Sequence, residues 1–243
     1  MSDTDSDLDS DPGSDPHSDE AEPLRRTEDT TVRYQQRASF DRELANRILD
    51  AAFVAHVGFA TSRTGEDGGI EAHPFVIPMI YGRDGDRLYL HGSVATRLTR
   101  QLDAGAPVCV TVTHVDGLVL ARSQFHHSVN YRSVVLLGRA TRLRDAEAER
   151  ALAVIVDHAA PGRSAEARPT NRIELRQTMV LSVPIDEGSV KVRTGGPVDD
   201  AEDMNLDVWA GVLPLAVRPG DPIPDDGCGD LPLPPSVVGL MDR

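Results

Sequence analysis

Apolar positions recur at every second residue through most of the chain and at every third or fourth residue in only three stretches. The alternation runs through "FVAHVGFATS", "IEAHPFVIPMIY", "RLYLHGS", "PVCVTVTHVDG", "LVLARS", "YRSVVLLGRATRL", "TMVLSVPID" and "SVKVRT", and it predicts a strand in each. Turn-forming "RTGEDGG" and "GRDGD" join the first three, and Asp116-Gly117 reads as a turn between the fourth and the fifth. Pro78 lacks a backbone N–H, so it suits a sheet edge or a bulge better than a central ladder position. Helical spacing appears from Ser39 to Ala52, with Ser39 as N-cap and Asp41 and Glu43 in the first turn. It returns in "VATRLTRQLDAG", closed by Gly105, and in "DAEAERALAVIVDHA", capped by Asp145. Later, "WAGVLPLAV" returns to the body. Short strands with no βαβ alternation and no internal repeat predict a mainly β (α+β) fold, a closed or partly closed antiparallel barrel with short flanking helices.

The two ends of the chain differ from this middle. Positions 1 to 22 hold nine acids and no Lys or Arg, so the net charge of −14 leaves about −5 for the rest. Such a Ser/Asp/Pro run cannot offset its own ordering entropy, which predicts a disordered acidic tail over residues 1–30. The barrel domain then covers 31–218, and a Pro-rich, irregular segment covers 219–243. A mildly acidic body without a basic, aromatic-rich stripe argues against nucleic acid, and no apolar run is long enough for a membrane helix. The two cysteines, Cys109 and Cys228, provide neither a disulfide framework nor a CxxC metal site, which predicts a cytoplasmic protein. All but one of the 25 basic residues are arginine, the exception being Lys191. Bidentate contact with carboxylate or phosphate explains that usage, and so does codon bias.

Two stretches carry candidate chemistry. In "LYLHGSVATRL", Leu88 to Leu98, a strand leads through Gly92 to Ser93 and a helix start, where unpaired N–H groups and Arg97 suit an anion such as phosphate. The same spacing also describes an ordinary capped helix with Arg97 and Arg100 in solvent. In "ARSQFHHSVNYRS", Arg122, His126, His127, Asn130, Tyr131 and Arg132 sit between apolar strands, so they need a partner, a cleft or a ligand, or else form a solvated loop. No acid or cysteine stands at metal-ligand spacing to the histidine pair, so no metal site is expected. His56 and His73 alternate with apolar neighbours and read as strand residues, and no GxSxG elbow is present. Trp209, the single tryptophan, is either a hydrophobic plug or a lid over a flat ligand.

Together "HPFVIPMIYGRDGDRLYLHGSVATRL", "CVTVTHVDGLVLARSQFHHSVNYRSVVLLGRA" and "WAGVLPL" resemble the flavin-nucleotide-binding group of the pyridoxamine 5′-phosphate oxidase-like superfamily, related to the nitroimidazole-resistance reductases. The resemblance spans about Tyr34 to Pro224. It implies an FMN-binding antiparallel split β-barrel, usually a homodimer with both flavins at the subunit interface. On this chain it implies that Thr96 and Arg97 grip the flavin phosphate, that His91, Gly92 and Ser93 stand beside the ring, and that Pro78 and Met79 meet the ring edge. It also places Thr61 near the cofactor. Leu98 stands where the oxidases proper carry a lysine, and the ending "SVVGLMDR" lacks their substrate-binding arginine motif. Under this resemblance His126, His127, Asn130, Tyr131 and Arg132 line the flavin cleft or the dimer seam, Arg132 stabilising reduced flavin and His127 delivering a proton. The activity implied is an FMN-dependent oxidoreductase acting on a small organic molecule; the alternative is a non-enzymatic flavin carrier, store or redox sensor. Related split barrels also accommodate FAD, haem or a deazaflavin.

Overall fold

The computed structural model describes residues 21–242, so most of the expected acidic tail lies outside the described residues. Strands and helices follow in the order β1 (Ala38–Ser39), α1 (Arg42–Asp50), β2 (Val54–Thr64), β3 (Ile70–Asp84), β4 (Arg87–Ser93), α2 (Arg97–Asp103), β5 (Pro107–Leu120), β6 (Ser128–Arg139) and β7 (Thr141–Leu143). The rest are α3 (Asp145–Ala159), α4 (Arg163–Glu166), α5 (Arg172–Gln177), β8 (Thr178–Pro184), β9 (Glu187–Arg193), β10 (Gly211–Pro214) and α6 (Pro235–Met241). The sheet is antiparallel, in the order β1-β9-β6-β5-β2-β3-β4-β8-β7, with β10 added on β5. Alternate residues of the strands turn inward, and Val57, Leu88, Leu90, Val110, Val112, Leu136 and Leu181 are completely buried in one core.

Long β3 carries the sheet from one half to the other. Its residues Ile70 to Ile80 pair with β2, and only Tyr81 to Asp84 pair with β4. At the opposite corner β6 and β7 are separated by Ala140, and the ladder breaks between Leu137↔Glu187 and Thr141↔Ser182. This is a split barrel whose sheet does not close. Helix α3 lies against β3 because Gly82 has no side chain: a Cβ there would stand 2.7 Å from the Ile155 Cα.

Several local expectations change. Ser39 is part of β1, opposite Val190, and Asp41 caps α1 by accepting from the Leu44 N–H at 3.1 Å. Ser93 ends β4 opposite Thr178, and Thr96 caps α2. Arg144, without a side-chain cap, precedes α3, which starts at Asp145. The Asp116-Gly117 turn is a bulge inside one continuous strand, because β10 supplies Gly117 to Leu120 with backbone partners and β6 holds the other side. The ordered body begins before residue 31: Leu24 is buried in the core, and Arg25 bridges to Glu187. The Pro-rich end contains α6, whose Ser236 is buried with its N–H and hydroxyl donating to Glu166. Among the described residues no helix is long and apolar enough to cross a membrane.

Candidate functional site

Along Ile70 to Ile80 one backbone edge of β3 has no strand partner among the described residues, since β2 occupies only the other edge. Pro78, opposite His56, is accommodated in this half-paired stretch as its missing N–H predicts. The end of β4 and the start of α2 stand beside this edge. Ser93 Oγ accepts from the Ala95 N–H at 3.3 Å, Thr96 Oγ1 accepts from the Thr99 N–H at 3.3 Å, and Arg97 is the first helical residue. The Arg97 guanidinium lies 4.6 Å above the centroid of the Phe75 ring, which ties α2 to β3. Phe75 in turn stacks on Phe59 at 5.3 Å. Arg97 is exposed and forms no salt bridge among the described residues.

The strand register settles which other expected residues share this place. Thr61 and Met79 lie on the same face of β2 and β3 as Phe59 and Phe75, and Gly92 turns toward Thr96 and Thr99. Pro78 contributes only backbone, because its ring points to the opposite face with His56. A cleft of about 790 Å³ adjoins the group: it is walled by Phe59, Phe75, Val76 and Cys109 and runs toward Arg25 and Arg139. That size falls within the roughly 300–1,000 Å³ typical of cofactor and ligand sites.

His91 leaves the group. It sits on the other face of β4 and lines a separate cavity of about 250 Å³ beneath α3 and α4, with Leu152, Val156 and Ser164. Its Nδ1 is buried without a hydrogen-bond partner among the described residues, and burial lowers its pKa below the usual imidazole value, which favours the neutral form.

The histidine- and arginine-rich segment is also elsewhere. Arg132 lies on β6, three strands from β3, or about 14 Å at the ordinary interstrand spacing. Its guanidinium donates to both Asp116 carboxylate oxygens, at 2.9 and 2.8 Å, and these bonds hold Asp116 below the usual carboxylate range. Arg122 donates its N–H and its guanidinium to Asp199 at 2.9 Å each, and His126 meets Asp200 at 3.1 Å. Burial alone would raise Asp199, but the bonds from Arg122 outweigh it and keep the carboxyl low. His127 Nδ1 lies 2.8 Å from the Ser123 carbonyl, and Asn130 donates to the Gly195 carbonyl at 3.1 Å. Within one chain, then, His127 and Arg132 do not reach Arg97. Trp209 is 68% exposed and precedes β10, roughly 30 Å along β5 from where β5 meets β2.

Sequence reasoning missed the Phe59–Phe75 shelf. Its signal was available: few aromatics, and two of them equally spaced from a hairpin turn. It also missed Asp199 and Asp200, whose partners Arg122 and His126 lie 77 and 74 residues away.

A family model described as Pyridoxamine 5′-phosphate oxidase matches residues 41–192, which include β2 to β8 and nearly all of β9. The chain belongs to this family. Among solved structures, the FAD and heme binding protein from Mycobacterium smegmatis is 39% identical, with a TM-score of 0.76 over 84% of this chain and 97% of the other. Flavocytochrome Anf3 from Azotobacter vinelandii is 40% identical, with a TM-score of 0.78 over 90% of this chain and 99% of the other. A putative 5-nitroimidazole antibiotic resistance protein from Bacteroides thetaiotaomicron is 26% identical, with a TM-score of 0.49 over 64% and 86%. No curated protein matches. For a pyridoxamine 5′-phosphate oxidase family member, flavin binding is supported. Leu98 is buried and has no group to offer a phosphate.

Proposed function

We propose that this chain is a flavin-dependent oxidoreductase that holds a flavin nucleotide against the free edge of β3 and exchanges electrons with a small organic molecule. The observation that carries the reading is Arg97: an exposed guanidinium without a carboxylate among the described residues, fixed over Phe75, whose ring also walls a cleft of cofactor size. The residues fit the group. Arg97 supplies a charged fork for phosphate, and the Ser93 and Thr96 hydroxyls are adjacent donors. The unpaired backbone edge of β3 beside Pro78 and Met79 offers hydrogen bonds to the edge of a flat ring, while Thr61 borders the same face. The flavin, when bound, supplies two-electron redox chemistry, and the protein supplies position and electrostatics.

His127 and Arg132 join this site only if a second subunit brings them, so the reading includes a homodimer in which one protomer's polar segment faces the other's cleft. There Arg132 would place positive charge near the cofactor, and His127 would hold a proton at its free Nε2. Trp209, exposed on the same side as that segment, would cover a flat ligand across the seam. Free Cys109 and Cys228 agree with a reducing, cytoplasmic setting. FMN satisfies the Arg97 site, and the FAD and heme binding protein of M. smegmatis makes FAD the competing nucleotide. An absorbance spectrum of the purified protein, followed by release and chromatography of the bound nucleotide, tests the reading. Paired flavin bands are expected. A protein that stays colourless after incubation with FMN and with FAD would refute it.

Haem is a second reading, favoured by His91 and by the two most alike structures described above, whose names include haem or a flavocytochrome. A neutral imidazole with a free nitrogen is a suitable iron ligand. The cavity is less suitable: about 250 Å³ falls below the usual cofactor range, so the donor fits but the space does not. A Soret band in the same spectrum decides the point.

A further inference from the structure

Arg193 is 8% exposed and has no acidic partner among the described residues. Its guanidinium donates to the Asn130 side-chain oxygen and to the Gly195 and Gly196 carbonyls, all neutral, and its Nε is buried without any acceptor. A buried cation compensated only by neutral groups is costly, and a nearby anion relieves that cost. Its surroundings make the imbalance worse. Tyr131 stands directly opposite Arg193, and the Lys191 ammonium lies 5.7 Å from the Tyr131 ring centroid on the same sheet face. Arg37, just before β1, is close enough to depress the Arg193 pKa together with burial, burial being the larger cause. Arg37 and Arg33 both lie over the Tyr34 ring, at 4.9 and 5.4 Å.

Four cations and two tyrosines are thus grouped on the β1-β9-β6 edge of a chain whose net charge is −14. None of the four forms a salt bridge among the described residues, whereas Arg25, Arg83, Arg122, Arg132, Arg142, Arg150 and Arg168 all do. Ten of the chain's 24 arginines form salt bridges among the described residues, and Arg193, although buried, is not one of them, which leaves an uncompensated positive charge on this edge. We infer that Arg37, Lys191, Arg193 and the Tyr131 hydroxyl form a second ligand site, separate from the Arg97 cleft, that takes the diphosphate group of an anionic ligand. Guanidinium forks match phosphate oxygens bidentately, more than one cation matches more than one negative charge, and the tyrosine rings offer a surface for a flat group attached to the phosphates.

The test is a calorimetric titration of the full-length protein, with its flavin bound, using inorganic pyrophosphate as the probe. Binding is expected in the wild type, weakened about tenfold in each of Arg37→Gln and Lys191→Gln, as loss of one charged hydrogen bond requires. Both residues lie at the surface, so these variants keep the fold, which circular dichroism checks. Arg97→Ala is expected to keep the pyrophosphate affinity even where it loses flavin, so failure of the flavin reading and failure of this site are separable. No binding, or binding equally strong in Arg37→Gln and Lys191→Gln, overturns the inference, and so does binding that disappears with Arg97→Ala alone.

Discussion

Arg97 and His91 are six residues apart, yet the fold gives them to different faces of the sheet and to different predictions. Arg97 is held by Thr96 at the start of α2 and by the Phe75 ring, with its guanidinium otherwise free. Replacing it with alanine removes a charged hydrogen bond worth about 1.5–3 kcal/mol, so flavin affinity should fall at least tenfold, as read by fluorescence titration of the apoprotein. Unchanged affinity would take the phosphate away from this turn. His91 lines the cavity below α3, so His91→Ala should leave the flavin bands in place. If the haem reading holds, the same substitution removes the Soret band. Tyr81 is completely buried and donates its hydroxyl to the Leu49 carbonyl near the end of α1. Burial raises its pKa far above the phenolic range, so it stays a donor at any ordinary pH. Tyr81→Phe removes one of that carbonyl's donors while the Ala52 N–H, at 3.4 Å, remains, and should cost about 0.5–1.5 kcal/mol in denaturant unfolding.

Elements were legible in the sequence wherever period and burial agree. The strands β2, β3, β4, β6, β8 and β9 lie where the two-residue alternation places them, because one face of each is core. Boundaries that depend on a tertiary partner were not legible. Ser39 and Ser93 are good caps by composition, but both are consumed by strand pairing with Val190 and Thr178, and the cap moves to Asp41 and Thr96. Asp116-Gly117 has the composition of a turn, and the distant β10 makes it a bulge. The candidate site was legible in part for the same reason: Thr96 and Arg97 are set by local chain direction, whereas the acidic partners of Arg122 and His126 come from more than seventy positions away. Helix α5 shows a local device that no neighbour disturbs. Asn171 and Glu174 form a reciprocal capping box, and hydrogen bonds from Arg168 and then from the Asn171 N–H hold Glu174 down to about 2. A depressed carboxylate stabilises the fold in full above its ordinary value of 4.5, and that contribution fades as pH falls from there toward about 2. Carbon-13 titration of the Glu174 carboxyl should give a midpoint near that lower value, and Arg168→Gln should move it upward. Between elements, Gly82→Ala would drive a methyl group into the α3 backbone at Ile155, so a loss of about 1–3 kcal/mol is expected in thermal unfolding.

At the scale of the whole molecule the outer face of the sheet is unfinished. Val54 stands opposite Ile80 and Gly58 opposite Val76, with His56 and Pro78 between them, and Val54, Ile80 and Val76 are 39%, 46% and 66% exposed. Their neighbours Ala55 and Val57 point into the core, so the exposed set forms one continuous apolar strip along β2 and β3. The strip borders the same stretch of β3 whose backbone edge is free, and therefore borders the proposed cofactor site. In the homodimer proposed above, a second copy of the chain would cover this surface isologously, strip against strip. Burial of the strip and completion of the flavin site would then be one event. Light scattering should give twice the chain mass, and Val54→Glu, which places a charge in the strip away from Arg97 and from the residues that wall the cleft, should yield monomers with weakened flavin binding. If Val54→Glu dissociates the dimer and leaves flavin affinity intact, the cofactor is held by one subunit alone, and His127 and Arg132 have no part in its chemistry.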